Sequence, residues 1–184
     1  MNEVMKSLQV EHRGLRQLLA LLQCKLQRLE QGDSPDFNLI EDTINYIENY
    51  LERYHHPKED IIYQYIIKHN LDSQGKFAKA VKEHSTFKQL TQPLRTTLQS
   101  ILLDIIIPNE VSAHQLKTFI EAQQSHVDYE DNYIFPLIEQ SLSDKQWAEI
   151  SLLIPKQEAD PLFGEHVHAE YNALYLRLRD METN

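Results

Sequence analysis

Apolar residues return every three or four positions through four long blocks of this sequence, and that periodicity confines most of the chain to amphipathic helices. The first block runs Met5, Leu8, His12, Leu15, Leu19, Leu22, Leu26 and Leu29, and stops at a breaker cluster containing Gly32 and Pro35. The second runs Phe37, Ile40, Ile44, Ile47, Leu51, His55, Glu59, Ile62 and Ile66, and ends at residues 70–73, where Asp72 or Ser73 can cap the helix that follows. The third takes in Phe77, Val81, His84, Phe87, Leu94, Leu98, Ile101 and Ile105, with Pro93 inside it expected to kink or interrupt the helix. The fourth runs Leu116, Phe119, Gln123, His126, Glu130, Tyr133 and Leu137.

Blocks of roughly 25–34 residues make helices of roughly 38–51 Å, and short connections between them predict an all-α fold, an antiparallel up-down-up-down four-helix bundle over residues 1–140. Four glycines and seven prolines are too few for the turns of a β-sandwich or barrel. Residues 141–184 read as a C-terminal helical extension, packed on the bundle or at a dimer interface. It has a short helix over 143–154 whose inner face is Trp147, Ile150 and Leu153. A last helix is expected to open at Asp160-Pro161, with Val167, Tyr171, Leu174, Leu178 and Met181 as its apolar stripe. No linker divides the chain.

The charge balance narrows the partners. A formal net charge of −10, with lysines and arginines scattered among carboxylates, repels a phosphate backbone and argues against nucleic acid or an anionic membrane surface. No segment approaches the ~20 apolar residues of a membrane span, and the first residues lack the apolar run of a secretory signal. The lone Cys24, read as a small core hydrophobe, fits a reducing, cytoplasmic setting.

The unusual number is nine histidines. Each apolar stripe is interrupted by metal-capable side chains: His12 in the first, His55 and Glu59 in the second, His84 in the third, His126 and Glu130 in the fourth. The second and fourth share the spacing His-x-x-x-Glu, which puts imidazole and carboxylate one turn apart on one face. A single histidine on an apolar stripe is usually a satisfied core residue; six polar groups at one level of four stripes are not explained that way. Two buried carboxylates need cationic partners, and no Lys or Arg falls in the stripes at this level. Two metal ions bridged by carboxylates and capped by imidazoles answer the charge, and nitrogen and oxygen donors without thiolate suit iron or manganese. If both carboxylates bridge, each metal has two nitrogens and two oxygens, leaving room for a bridging oxide and an open position.

The segments Glu11-His12-Arg13, Tyr54-His55-His56-Pro57-Lys58-Glu59-Asp60, Glu83-His84 and His126-Val127-Asp128-Tyr129-Glu130-Asp131, followed by Phe135-Pro136-Leu137, resemble the hemerythrin-like HHE cation-binding family across the four bundle helices. The resemblance implies a carboxylate-bridged, non-haem di-iron centre, with His12, His55, His84 and His126 as terminal ligands and Glu59 and Glu130 as bridges. Oxygen-carrying hemerythrins have a further histidine four residues before the third-helix ligand. Here that position is Ala80, which argues against stable, reversible oxygen carriage. Asp131 suits the family's alternative His-x-x-x-x-Asp spacing, but Glu130 repeats the spacing of Glu59 and is preferred. His56 could fill the place of that missing histidine, as could a water or a Glu, but it stands about 100° round a regular helix from His55 and reads as an outer or solvent-facing residue.

His69 reads as a helix C-terminal dipole partner, and His114, His166 and His168 as surface. Gly14 permits a close helix approach, and Tyr54, Tyr63, Tyr129 and Tyr133 read as packing, with a hydrogen bond to a ligand as the alternative. The expected function is binding or sensing of a small ligand (O₂, NO or peroxide), or iron handling under stress. The alternatives are a di-iron peroxidase or oxidase, an iron–sulfur cluster repair protein, and a metal-stapled interaction module. Repair proteins of this kind often carry a Cys-bearing segment ahead of the bundle, which is not seen here. A homodimer through the last helix is a further expectation.

Overall fold

In the computed structural model, which describes residues 2–72, 74–156 and 160–182, the chain is a bundle of helices with no strand among the described residues. Helix α1 (Glu3–Glu30) is capped by the Asn2 side chain on the Val4 amide at 2.8 Å. It ends where Gly32, at φ 84°, lets the Asp33 amide return to the Arg28 carbonyl. Helix α2 (Phe37–Tyr46) runs into a π-helical stretch, Ile47–His55, and on into α3 (His56–Lys68). Helix α4 spans Lys76–Leu102, with Asp72 accepting from the Lys76 amide at 2.9 Å. Ser73, the other expected cap, lies outside the described residues. Helix α5 (Asn109–Tyr129) passes through a second π-helical stretch, Glu130–Ile134, into α6 (Phe135–Ser141). Outside these lie α7 (Asp144–Leu153), against α3, and α8 (Asn172–Glu182), against α1 and α2.

The core comes in two pieces. One gathers Leu15–Leu29 of α1, Leu39–Leu51 of the second block, Leu94 and Leu98 of α4, Leu116–Val127 of α5, and Leu162, Tyr171, Leu174 and Leu178 of the tail. The other gathers Met5 and Leu8, Ile62–Ile66, Phe77 and Ala80, Ile134–Ile138, and Trp147 and Ile150 of α7. Between them, at the level of His12, His55, His84 and His126, the bundle interior is polar.

Several local expectations need correction. Pro93 does not interrupt α4, which runs through it. Pro93 and Gln89 are both exposed, so the carbonyl that loses its intrahelical donor faces water. Both His-x-x-x-Glu blocks widen into π-helix, each two residues before a proline (Pro57, Pro136). The wider i to i+5 closure accommodates a ring that clashes with the carbonyl four residues back and cannot donate to it. Cys24 is exposed and its neighbour Lys25 takes the buried position.

In the tail, Leu153 is exposed while Trp147 and Ile150 are buried. The last helix begins at Asn172 rather than Asp160. Asp160 instead closes one tight turn, accepting from the Leu162 and Phe163 amides at 2.8 Å each and from the Tyr46 hydroxyl at 2.9 Å. That turn drops Leu162 into the core and lays Phe163 over Gly14, where a Cβ would stand 2.8 Å from the ring. Gly14 therefore makes room for a tail aromatic rather than for a neighbouring helix.

Candidate metal centre

The six stripe-breaking residues meet in the polar layer. Glu59 and Glu130 are 0% exposed, and the imidazoles of His12, His55, His84 and His126 are almost wholly enclosed. The Nε2 atoms pair off: His12 with His55 at 3.1 Å, and His84 with His126 at 3.0 Å. Each carboxylate reaches both pairs. Glu59 Oε1 lies 3.5 Å from His12 Nε2 and 3.2 Å from His55 Nε2, while its Oε2 lies 3.5 Å from His84 Nε2. Glu130 Oε2 lies 3.4 Å from His12 Nε2 and 3.2 Å from His126 Nε2, with Oε1 3.3 Å from His84 Nε2.

The outer nitrogens explain why the inner ones converge. His12 Nδ1 is 2.8 Å from Asp131, His55 Nδ1 2.6 Å from Glu11, His84 Nδ1 2.8 Å from Asp60 and His126 Nδ1 3.1 Å from Glu83. A carboxylate only accepts, so in each neutral ring Nδ1 carries the proton and Nε2 turns its lone pair inward. These four acids are the sequence neighbours of Glu130, His12, Glu59 and His84. Each helix therefore orients the imidazole of the next, and the ring closes. Lys58 and Arg16 complete this outer shell, on Glu11 at 2.6 Å and on Asp128 and Asp131 at 2.6 and 2.8 Å. None of the four carboxylates stood out in the periodicity, because a side chain beside a stripe-breaking residue falls off the apolar stripe. The readable signal was an acid next to one stripe-breaking residue in each of the four blocks: Glu11 by His12, Asp60 by Glu59, Glu83 by His84 and Asp131 by Glu130.

Electrostatics show what the layer lacks. Burial alone would push His12 and His84 down, yet hydrogen bonds to Asp131 and Asp60 and the charges of Glu59 and Glu130 carry His12 well above the usual imidazole range and His84 up to about 10. Burial and the neighbouring Glu130 push Glu59 up, but His55 and His12 hold it at about 2. The carboxylates stay ionised and recruit positive charge, which protons or a metal can supply. Both oxygens of Glu59 and one of Glu130 are buried without a hydrogen-bond partner among the described residues. Two nitrogens on one ion at about 2.1 Å and a right angle lie about 3 Å apart, which matches both Nε2 pairs. The donor set fits metal.

His56 corrects the sequence expectation. It is 5% exposed rather than solvent-facing, stacked on His84 with ring centroids 4.3 Å apart and edge-on to His126 at 5.7 Å. The change from π- to α-helix falls between His55 and His56, so the 100° step of a regular helix does not apply across it. Burial, with the charges of His84 and His55, holds His56 well below the usual imidazole range, so it is neutral and able to ligate. Two groups of ligand-capable atoms result: His12, His55, Glu59 and Glu130 in one, His56, Glu59, His84 and His126 in the other. Glu59 belongs to both.

The profile of the hemerythrin HHE cation binding domain matches residues 4–138, most of the chain. The chain belongs to that family. Family and buried clusters together make this hemerythrin-like chain a metal-binding protein. Comparison with curated proteins and with solved structures gives no match.

Of the remaining residues, Tyr63 is fully buried and donates to Glu130 Oε1 at 2.7 Å, so it holds one carboxylate in place. Tyr129 lies under Lys79, 4.1 Å from the ring centre, beside the exposed Tyr133. His69 Nδ1 donates to the Tyr65 carbonyl at the end of α3, and His114, His166 and His168 are exposed. Phe135, from the second core cluster, stacks on His12, and the buried Phe87 stands edge-on to His126, each at 4.9 Å. No described helix is long and apolar enough to cross a membrane.

Proposed function

We propose that the polar layer holds two iron ions and that the protein binds or senses a small ligand such as O₂, NO or peroxide. The reading rests on one observation: Glu59 and Glu130 each present oxygens to both histidine pairs, the disposition of bridging rather than terminal carboxylates. His12 and His55 would hold one ion and His84 and His126 the other, with His56 able to add a third nitrogen to the second site. That nitrogen comes from the helix before the one that carries Ala80. The unequal nitrogen count would leave the pair short of full coordination, and a redox-active centre with room for a small ligand is the chemistry bound iron would supply.

The chain's own residues do the rest. Asp131, Glu11, Asp60 and Glu83 keep a proton on each Nδ1 and fix each ring. Tyr63 fixes Glu130. Phe87 and Phe135 exclude water. The two core clusters, each entered and left in turn along the sequence, support an antiparallel up-down-up-down topology over residues 1–140, with 141–184 as an extension packed on it. Metal content by mass spectrometry with an optical spectrum, on protein loaded with ferrous iron, tests the reading. About two irons per chain support it; one zinc or no metal overturns it.

A further inference from the structure

Gln123 is a buried side chain that neither the core nor the candidate ligand set accounts for. It sits on the inner stripe of α5, between Phe119 and His126, one turn before the histidine and two before Glu130. Its residue is 0% exposed, and neither the amide nitrogen nor the amide oxygen has a hydrogen-bond partner among the described residues. The α5 residues around it, Leu116, Phe119, Ile120 and Val127, all belong to the apolar cluster. A leucine would fill such a position without cost, whereas a buried amide with no partner loses its hydration and gains nothing. Helical side chains lean toward the N-terminus, so His126 projects over the turn that carries Gln123, and residues three apart have Cβ atoms about 5–6 Å apart. By its position Gln123 is therefore the residue of α5 between the polar layer and the apolar cluster, with two N–H donors uncommitted among the described residues.

We propose that Gln123 is a specificity-determining residue of the centre, donating a hydrogen bond to a small anionic or electron-rich ligand bound there. This rests on the metal reading above. Glu59 and Glu130 offer such a ligand only acceptors, and the four terminal imidazoles spend their N–H groups on the outer carboxylates. Gln123 is a buried donor without such a commitment, and donation to an anion favours anionic over neutral ligands.

The test compares wild type, Gln123→Leu and Gln123→Glu, each loaded with iron, oxidised and titrated with azide. Metal content is measured first. Equal iron in all three, azide binding about tenfold weaker in the leucine variant (the value of one hydrogen bond to a charged group) and weakest in the glutamate variant support the proposal. So does a deuterium-sensitive azide stretching frequency in wild type that Gln123→Leu abolishes. Metal-free protein gives an independent measurement: Gln123→Leu melts higher than wild type, because an unpartnered amide is gone. A lower melting temperature means the amide already has a protein or water partner, and overturns the proposal. Loss of iron in Gln123→Leu overturns it by making the residue a ligand. Equal azide affinity in all three iron-loaded proteins overturns it alone, whereas a wild type that takes up no iron overturns the metal reading as well.

Discussion

The helices that carry His55-x-x-x-Glu59 and His126-x-x-x-Glu130 have the same spacing, yet they serve the centre differently. In the second block the π-helical stretch runs up to His55 and ends there, and the next residue, His56, turns inward among His84 and His126. In the fourth block the π-helical stretch begins at Glu130, after the histidine, and the residue following His126, Val127, lies in the apolar cluster. One helix thus supplies three candidate ligands and the other two. The carboxylates differ as well: Glu130 accepts from Tyr63, whereas Glu59 has no hydrogen-bond partner among the described residues and belongs to both ligand groups. Sequence spacing decides which residues face inward, and the local pitch of the helix decides how many of them reach one point.

The sharpest way to break this comparison is Glu59→Ala. Because Glu59 serves both groups, the variant is expected to lose both ions and fall to background in metal analysis, while Glu130→Ala keeps a measurable fraction. Equal losses would make the two carboxylates equivalent. Next in size is His56→Ala, which removes a nitrogen from the His84/His126 group alone. Iron content should drop toward one ion per chain, with the site built on His12 and His55 retained; unchanged content would return His56 to a packing role.

The outer carboxylates repeat the asymmetry. Glu11, behind His55, is 9% exposed and also binds Lys58, whereas Glu83, behind His126, is 34% exposed. Glu11→Gln is expected to weaken metal affinity by about 10–100-fold, and Glu83→Gln by less, since water can take its place. The same acid sets a pH dependence in metal-free protein. Burial would raise Glu11, but His55 and Lys58 hold it at about 2. Its contribution to stability is complete above the unfolded value of about 4.3 and is lost as pH falls through about 2. Urea midpoints measured from about pH 5 down to about pH 3 should fall further in wild type than in Glu11→Gln.

The smallest effect is Tyr63→Phe. Losing its bond to Glu130 should cost about 1 kcal/mol and lower the melting temperature of metal-free protein by about 2–4 °C. A larger fall would mean that Tyr63 supports more than Glu130.

The apolar period was enough to read the helices and to put His12, His55, Glu59, His84, His126 and Glu130 at one level, because burial on a helix is a matter of phase and phase is written in the spacing. His56 is set at an outer position only by assuming a uniform 100° step, which fails where the helix widens. Pro57 and Pro136 were the visible signs of that widening. The tail was misread for a related reason. Asp160-Pro161 has the chemistry of a helix start, but a tight turn that buries Leu162 and seats Phe163 over Gly14 uses the same donors and gains more burial.

By itself, then, the sequence determined that this chain is helical, that its apolar stripes face one another, and that each carries metal-capable side chains at the same depth. Tertiary structure alone decided that Asp131, Glu11, Asp60 and Glu83 close a ring around the imidazoles and that His56 joins the layer. It also decided that Gln123 is buried with no hydrogen-bond partner among the described residues. The physical reason is range: a helix's phase is set by neighbours three and four residues away, whereas a hydrogen bond across the bundle joins residues 24 to 119 positions apart, which no local pattern encodes.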